Sequence, residues 1–149
     1  MLRLIPPALL SLAIFVAPSS AVAQATASTR DGVYTAAQAE RGRITYAGMC
    51  KSCHVGNHTG ATFEKLWKDH TLEELFTYTS VKMPKNNPGS MNPDEYADVV
   101  AYLLKLNALP AGAKELPADS ASLAAVRIEL PAKPAKGASK PPVKQVKKP

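Results

Sequence analysis

Between residues 33 and 107, apolar positions recur at three- and four-residue spacing in successive stretches, and that period is helical. Ala39, Gly42 and Tyr46 share one face of a segment of about a dozen residues. Thr35 followed by Gln38 has capping-box spacing and predicts where this segment starts. Phe63, Leu66 and Trp67 mark a second helix, and Thr71 with Glu74 opens a third through Leu72, Leu75 and Phe76. The fourth has the clearest start. Asn92 is its cap, Pro93 sits where a missing N–H costs nothing, and Asp94 and Glu95 meet the positive end of the helix dipole. Tyr96, Val99, Val100 and Leu103 make its apolar stripe, which ends near Asn107. Residues 84–89 form a turn-rich loop. The pattern predicts an all-α domain over residues 33–107.

Outside that domain the composition changes. Residues 108–130, with Pro110, Gly112 and Pro117, are predicted to be an arm with a short helical turn near Leu123. Residues 131–149 carry six lysines, five prolines and no acidic residue. They cannot build a core and are expected to be a disordered Lys/Pro-rich tail. The chain's formal charge is +6, yet without the six tail lysines 12 basic residues face 12 acidic ones. The domain is therefore near neutral, and no nucleic-acid partner is expected. At the other end, Arg3, the mostly apolar residues 4–16 and Ala21-Val22-Ala23 read as a secretory signal peptide over residues 1–23. Its apolar run is shorter than the roughly 20 residues of a membrane span, so cleavage is expected rather than a retained anchor.

Chemistry concentrates in Cys50-Lys51-Ser52-Cys53-His54, which holds both cysteines and one of the three histidines. Cys-x-x-Cys-His is the attachment signal for c-type haem. Cysteines three apart on a helical turn project to one side, so both sulfurs can form thioethers to the two vinyl groups on one porphyrin edge. The following histidine is then placed to bind iron. A thioredoxin-like motif would need a βαβ context, which is missing. A zinc site would need a second ligand pair at matching spacing. A structural disulfide would not need the histidine.

An electron-transfer haem usually fills both axial positions. Met49 adjoins Cys50 and would lie on the side of His54. Met83 precedes Pro84, whose ring biases it towards extended backbone, a geometry suited to a ligand presented from a loop. Met91 adjoins the cap of the last helix, where an apolar staple is its simpler role. Met83 is preferred and Met91 is the alternative. His58 and His70 are weaker candidates, with His58 expected to face solvent from a loop. Trp67 suits either a haem edge or the core. About 75 residues make a marginal core, and a buried haem would supply the missing apolar surface.

These residues resemble the small class I c-type cytochromes, most closely proteobacterial periplasmic members associated with quinoprotein (PQQ) dehydrogenases. The resemblance rests on Gly42 and Tyr46, the Cys50–His54 motif, Phe63 and Trp67, Met83-Pro84, Pro88-Gly89-Ser90 and residues 95–104. It continues into Leu109-Pro110-Ala111-Gly112 and Glu115-Leu116-Pro117. It implies a fold wrapped around one covalent haem c, held by Cys50 and Cys53 with His54 and Met83 on the iron. It implies export to the periplasm and a carrier of single electrons rather than an enzyme. Its redox partners would be a quinoprotein dehydrogenase as donor and an oxidase as acceptor. The tail could add electrostatic contact with an acidic protein or an anionic membrane. Two features depart from the family: the segment between His54 and Met83 is short, and it lacks the proline whose carbonyl often accepts the proximal histidine's N–H. The competing functions are a haem enzyme or gas/peroxide sensor with a labile sixth ligand, and a haem-free thiol or metal module. A single motif excludes a di-haem peroxidase.

Overall fold

The computed structural model describes residues 27–131 apart from Asn57. The expected signal peptide, and the tail beyond Pro131, lie outside the described residues. The chain runs through β1 (Ala27–Ser28), a 3-10 turn (Thr29–Asp31), α1 (Ala36–Met49), α2 (Gly60–Trp67), α3 (Leu72–Lys82), α4 (Pro93–Leu106), α5 (Ser120–Ala124) and β2 (Val126–Arg127). The fold is all-α as the periodicity predicts, apart from a short parallel pairing of Ala27 with Val126 and Ser28 with Arg127 and an isolated antiparallel bridge between Thr71 and Arg127. Among the described residues, no helix is long and apolar enough to cross a membrane.

The helix starts follow their capping chemistry. At α3, Thr71 Oγ1 accepts from the Glu74 N–H at 3.2 Å while the Glu74 carboxylate accepts from the Thr71 N–H at 2.8 Å. At α4, Asn92 and Glu95 make the same reciprocal pair at 2.9 Å each way. Each box satisfies two backbone donors that the helix cannot use itself. The α1 box closes on one side only. Thr35 Oγ1 accepts from the Gln38 N–H at 3.0 Å, but the Gln38 side chain turns away to Leu116.

The most extensive helix pairing is α1 against α4. Gly42 permits it, because a Cβ there would run into the backbone carbonyl of Asp98. The buried surface of α4 is wider than a stripe, since Ala97, Asp98, Ala101 and Leu104 are buried beside the expected four. Asp98 tolerates this because Arg41 donates to both of its carboxylate oxygens at 2.8 and 2.9 Å. The same guanidinium holds Glu115 at 2.9 and 3.1 Å.

The core continues past Asn107. Leu109, Leu116, Leu123 and Ile128 are all buried in it. Tyr34 Oη donates to the Leu109 carbonyl at 2.7 Å, and the Gly112 N–H donates to the Tyr34 carbonyl at 2.6 Å. Gly32 and Gly112 lie so close that a Cβ on either would meet the other's backbone. Thr29 is buried and exchanges hydrogen bonds with the Glu129 backbone at 2.9 and 3.0 Å. Residues 27–34 and 109–130 thus brace each other and pack on α1 and α3.

Candidate haem site

The carbonyl of Tyr46, near the end of α1, accepts from the N–H groups of both Cys50 and Lys51 at 3.0 Å. The Cys50 carbonyl then accepts from Cys53 at 3.2 Å and from His54 at 3.0 Å. The motif therefore makes one more helical turn after α1. That turn brings Cys50, Cys53 and His54 onto the wall of a single cavity of about 1090 Å³. Both cysteines are free thiols. Burial pushes the Cys50 thiol up from its ordinary pKa, a property of the thiol before any bond to a ligand.

Met83 follows α3 with φ −128° and ψ 152°, the extended geometry expected before Pro84. Tyr96 Oη donates to the Met83 carbonyl at 2.9 Å, so α4 fixes the backbone that carries this sulfur. Met83 lines the cavity. Met91 is absent from that lining and packs instead against the core, the role expected of it. Met49 also lines the cavity, directly beside Cys50.

Leu75, Val99 and Leu103 bring the buried core up to the cavity, and Leu66, Trp67 and Tyr78 line it further out. Leu66 is 53% exposed and Tyr78 48%, although both are large and apolar in body. Trp67 meets Tyr78 and His70 edge to face, at ring centroid distances of 5.5 and 5.9 Å. His70 is tied to its own helix start, with Nδ1 at 3.1 Å from Glu74 Oε2.

His58 departs from expectation. It is partly buried, lines the cavity, and its ring centroid lies 4.2 Å from that of His54. Burial first, and the neighbouring His54 imidazole second, push its pKa below the ordinary histidine value. It reads as a loop residue because no apolar period surrounds it. The available signal was its position four residues after His54, with Asn107 at the end of α4 ready to reach it. Asn107 Nδ2 donates to the His58 carbonyl at 2.8 Å. Tyr46, placed by its spacing on one face of α1, also reaches the motif: its hydroxyl donates to the His54 carbonyl at 3.0 Å. Burial is the main reason its phenol pKa is raised, so it stays a neutral donor.

The residues present fit a haem. The cavity is slightly larger than the roughly 300–1,000 Å³ usual for ligand sites and is walled mainly by apolar side chains. Two thiols and an imidazole stand together on one wall, and a thioether lines the same space. Among the described residues, no group of three or more His, Cys, Asp or Glu is arranged to hold a bare metal ion.

Residues 37–103 match the family described as cytochrome c oxidase, cbb3-type, subunit III. The match runs from the first turn of α1 into α4 and takes in the Cys50–His54 turn and Met83. No curated protein and no solved structure matches the chain.

Proposed function

We propose that this chain, whose residues 37–103 are a c-type cytochrome domain, is a periplasmic single-haem electron carrier. It passes one electron at a time from a dehydrogenase, of the quinoprotein class by resemblance, to a respiratory acceptor. It transforms no substrate itself. The observation that carries this reading is one cavity lined by Cys50, Cys53 and His54 together with Met83.

Each residue has a distinct task in this reading. Cys50 and Cys53 hold the haem through thioether bonds, so it stays with the chain through repeated turnovers. His54 and Met83 would hold the iron between them, which would leave no open site for a substrate and keep rearrangement on electron transfer small. When bound, the haem supplies an iron that alternates between ferric and ferrous states. Leu75, Val99 and Leu103 keep water from the inner part of the site. A dry surround and a thioether ligand both favour the less charged ferrous state and raise the potential. Leu66, Trp67 and Tyr78 provide the apolar flank that a flat macrocycle needs. Export places the chain where c-type haem is attached in bacteria, which agrees with the signal-like residues 1–23.

Chain produced in a host able to mature c-type cytochromes tests the reading. Denaturation followed by acid-acetone extraction should leave haem on the polypeptide, at one per chain by pyridine haemochrome. A potentiometric titration should follow a one-electron curve. Haem that extracts completely, or a chain that matures without haem, overturns the proposal.

A further inference from the structure

We propose that His58 is a positioning residue for the His54 imidazole, and that Asn107 holds His58 in place. The inference rests on His54 being an axial ligand and goes beyond it by naming what sets the plane of that ring. A histidine ring turns about a bond between tetrahedral and planar carbons, a torsion with broad, shallow wells. Its plane must therefore be fixed by whatever touches it. The usual device is an acceptor for the ring's second N–H. Among the described residues the His54 ring makes no hydrogen bond, and the ring that lies against it is His58, at 4.2 Å between centroids with 47° between planes.

His58 is itself held from two directions. Its carbonyl accepts from Asn107 Nδ2 at 2.8 Å, and the edge-to-face contact of Tyr46 places ring centroids 6.0 Å apart at 82°. Asn107 is fully engaged: Nδ2 also donates to the Leu103 carbonyl at 2.8 Å, and Oδ1 accepts from the Gly60 N–H at 3.0 Å. One side chain at the end of α4 thus ties down the loop on both sides of residue 59. Tyr46 closes the circuit by donating to the His54 carbonyl at 3.0 Å. A residue that only filled space would not need its backbone tied to the end of α4 and its ring set against Tyr46 of α1.

The test uses the full-length ferric holoprotein and reads haem-methyl shifts by proton NMR, which follow the plane of the axial ligand, together with the midpoint potential. The parent comes first. A parent that is not low-spin with covalent haem defeats the reading of His54 itself, whatever His58 does. Given that spectrum, His58→Ala should redistribute the methyl shifts and move the potential while the sulfur-to-iron band stays. His58→Phe, which keeps a flat ring against His54, should restore the parent order of the methyl shifts. Asn107→Ala should reproduce the redistribution without altering either ring. If His58→Ala does not mature, the other two variants still carry the comparison. Parent-like methyl shifts in both His58→Ala and Asn107→Ala, even with lowered stability, overturn the proposal and leave His58 a packing residue.

Discussion

Gln38 and Leu116 lie 78 positions apart and exchange two hydrogen bonds: Gln38 Nε2 donates to the Leu116 carbonyl at 2.9 Å, and the Leu116 N–H donates to Gln38 Oε1 at 2.7 Å. Both residues are buried. A primary amide has the same donor and acceptor pair as a peptide unit, so Gln38 acts as one rung of backbone pairing between α1 and the arm. Gln38→Ala would strand a buried N–H and a buried C=O, each worth about 1–3 kcal/mol when left unmet. We expect a loss of at least about 2 kcal/mol in holoprotein stability by denaturant titration. Gln38→Glu should recover only part of it, because a carboxylate cannot donate to the Leu116 carbonyl. An unchanged midpoint in Gln38→Ala would mean the arm is not bound through this pair.

Gly42 gives a prediction in which two effects oppose each other. Alanine in a helix interior is favoured over glycine by up to about 1 kcal/mol. At Gly42 the added Cβ meets the Asp98 carbonyl, a backbone atom that cannot swing away as a side chain would. Overpacking of this kind costs about 1–3 kcal/mol or more, and the rigid neighbour puts it at the upper end. Gly42→Ala should therefore destabilise by at least about 2 kcal/mol net of its helix propensity. Denaturant titration of the holoprotein reads the difference, and an unchanged midpoint would mean that α1 and α4 separate to admit the methyl group.

How much of this was readable in the chain differs by element. The caps of α3 and α4 rest on three-residue spacings and are as read. Gln38 has the same spacing from Thr35, but a distant backbone competes for its side chain and wins, which local spacing cannot reveal. Leu109, Leu116, Leu123 and Ile128 show no period because each enters the core singly between turns. Pairing of Ala27–Ser28 with Val126–Arg127 is too short to leave an alternating pattern. At the site, Cys50, Cys53, His54 and Met83 could be named because their types and neighbours are chemically specific, and the fold brings all four to one cavity. The contacts that His58 and Tyr46 make with His54 could not, since a lone histidine and a helical tyrosine each have many ordinary uses.

The choice between methionines can be decided optically. Met83 lines the cavity and Met91 does not. Ferric holoprotein should show the weak near-infrared sulfur-to-iron band. Met83→Ala should abolish it and lower the midpoint potential, because a thioether ligand favours ferrous iron. Met91→Ala should keep the band. Loss of the band in Met91→Ala alone would reassign the ligand.

Glu115 supplies a pH dependence. The Arg41 guanidinium donates to its carboxylate and holds its pKa below the ordinary value, and slight desolvation opposes this without reversing it. A carboxylate depressed in the folded state contributes fully above its unfolded value of about 4.3, and that contribution is lost as pH falls through the lower folded value. The stability of the parent should therefore fall below about pH 4 more steeply than that of Glu115→Gln. The pair is half exposed, so the difference should be modest and shrink as salt is added. Parallel curves at low salt would show that Arg41 spends its charge on Asp98 alone.

The tail, residues 131–149, is a question of charge. Its six lysines account for the whole formal excess of +6, so its removal leaves a chain that is electrically near neutral. Attraction of such a segment to an acidic redox protein, or to anionic lipid, would act mainly on encounter rate. Salt would screen it beyond roughly 8 Å at physiological ionic strength. No thiol, imidazole or thioether lies in the segment, so deleting it should leave the visible spectrum and midpoint potential unchanged. Stopped-flow reduction by a quinoprotein dehydrogenase, and oxidation by a terminal oxidase, should be slower for the truncated protein at low ionic strength. The two proteins should converge as salt is raised. Co-sedimentation with vesicles containing anionic phospholipid separates a membrane role from a protein one. Equal rates at low salt with both partners, together with equal vesicle binding, would leave the tail a solubilising extension without an electrostatic role.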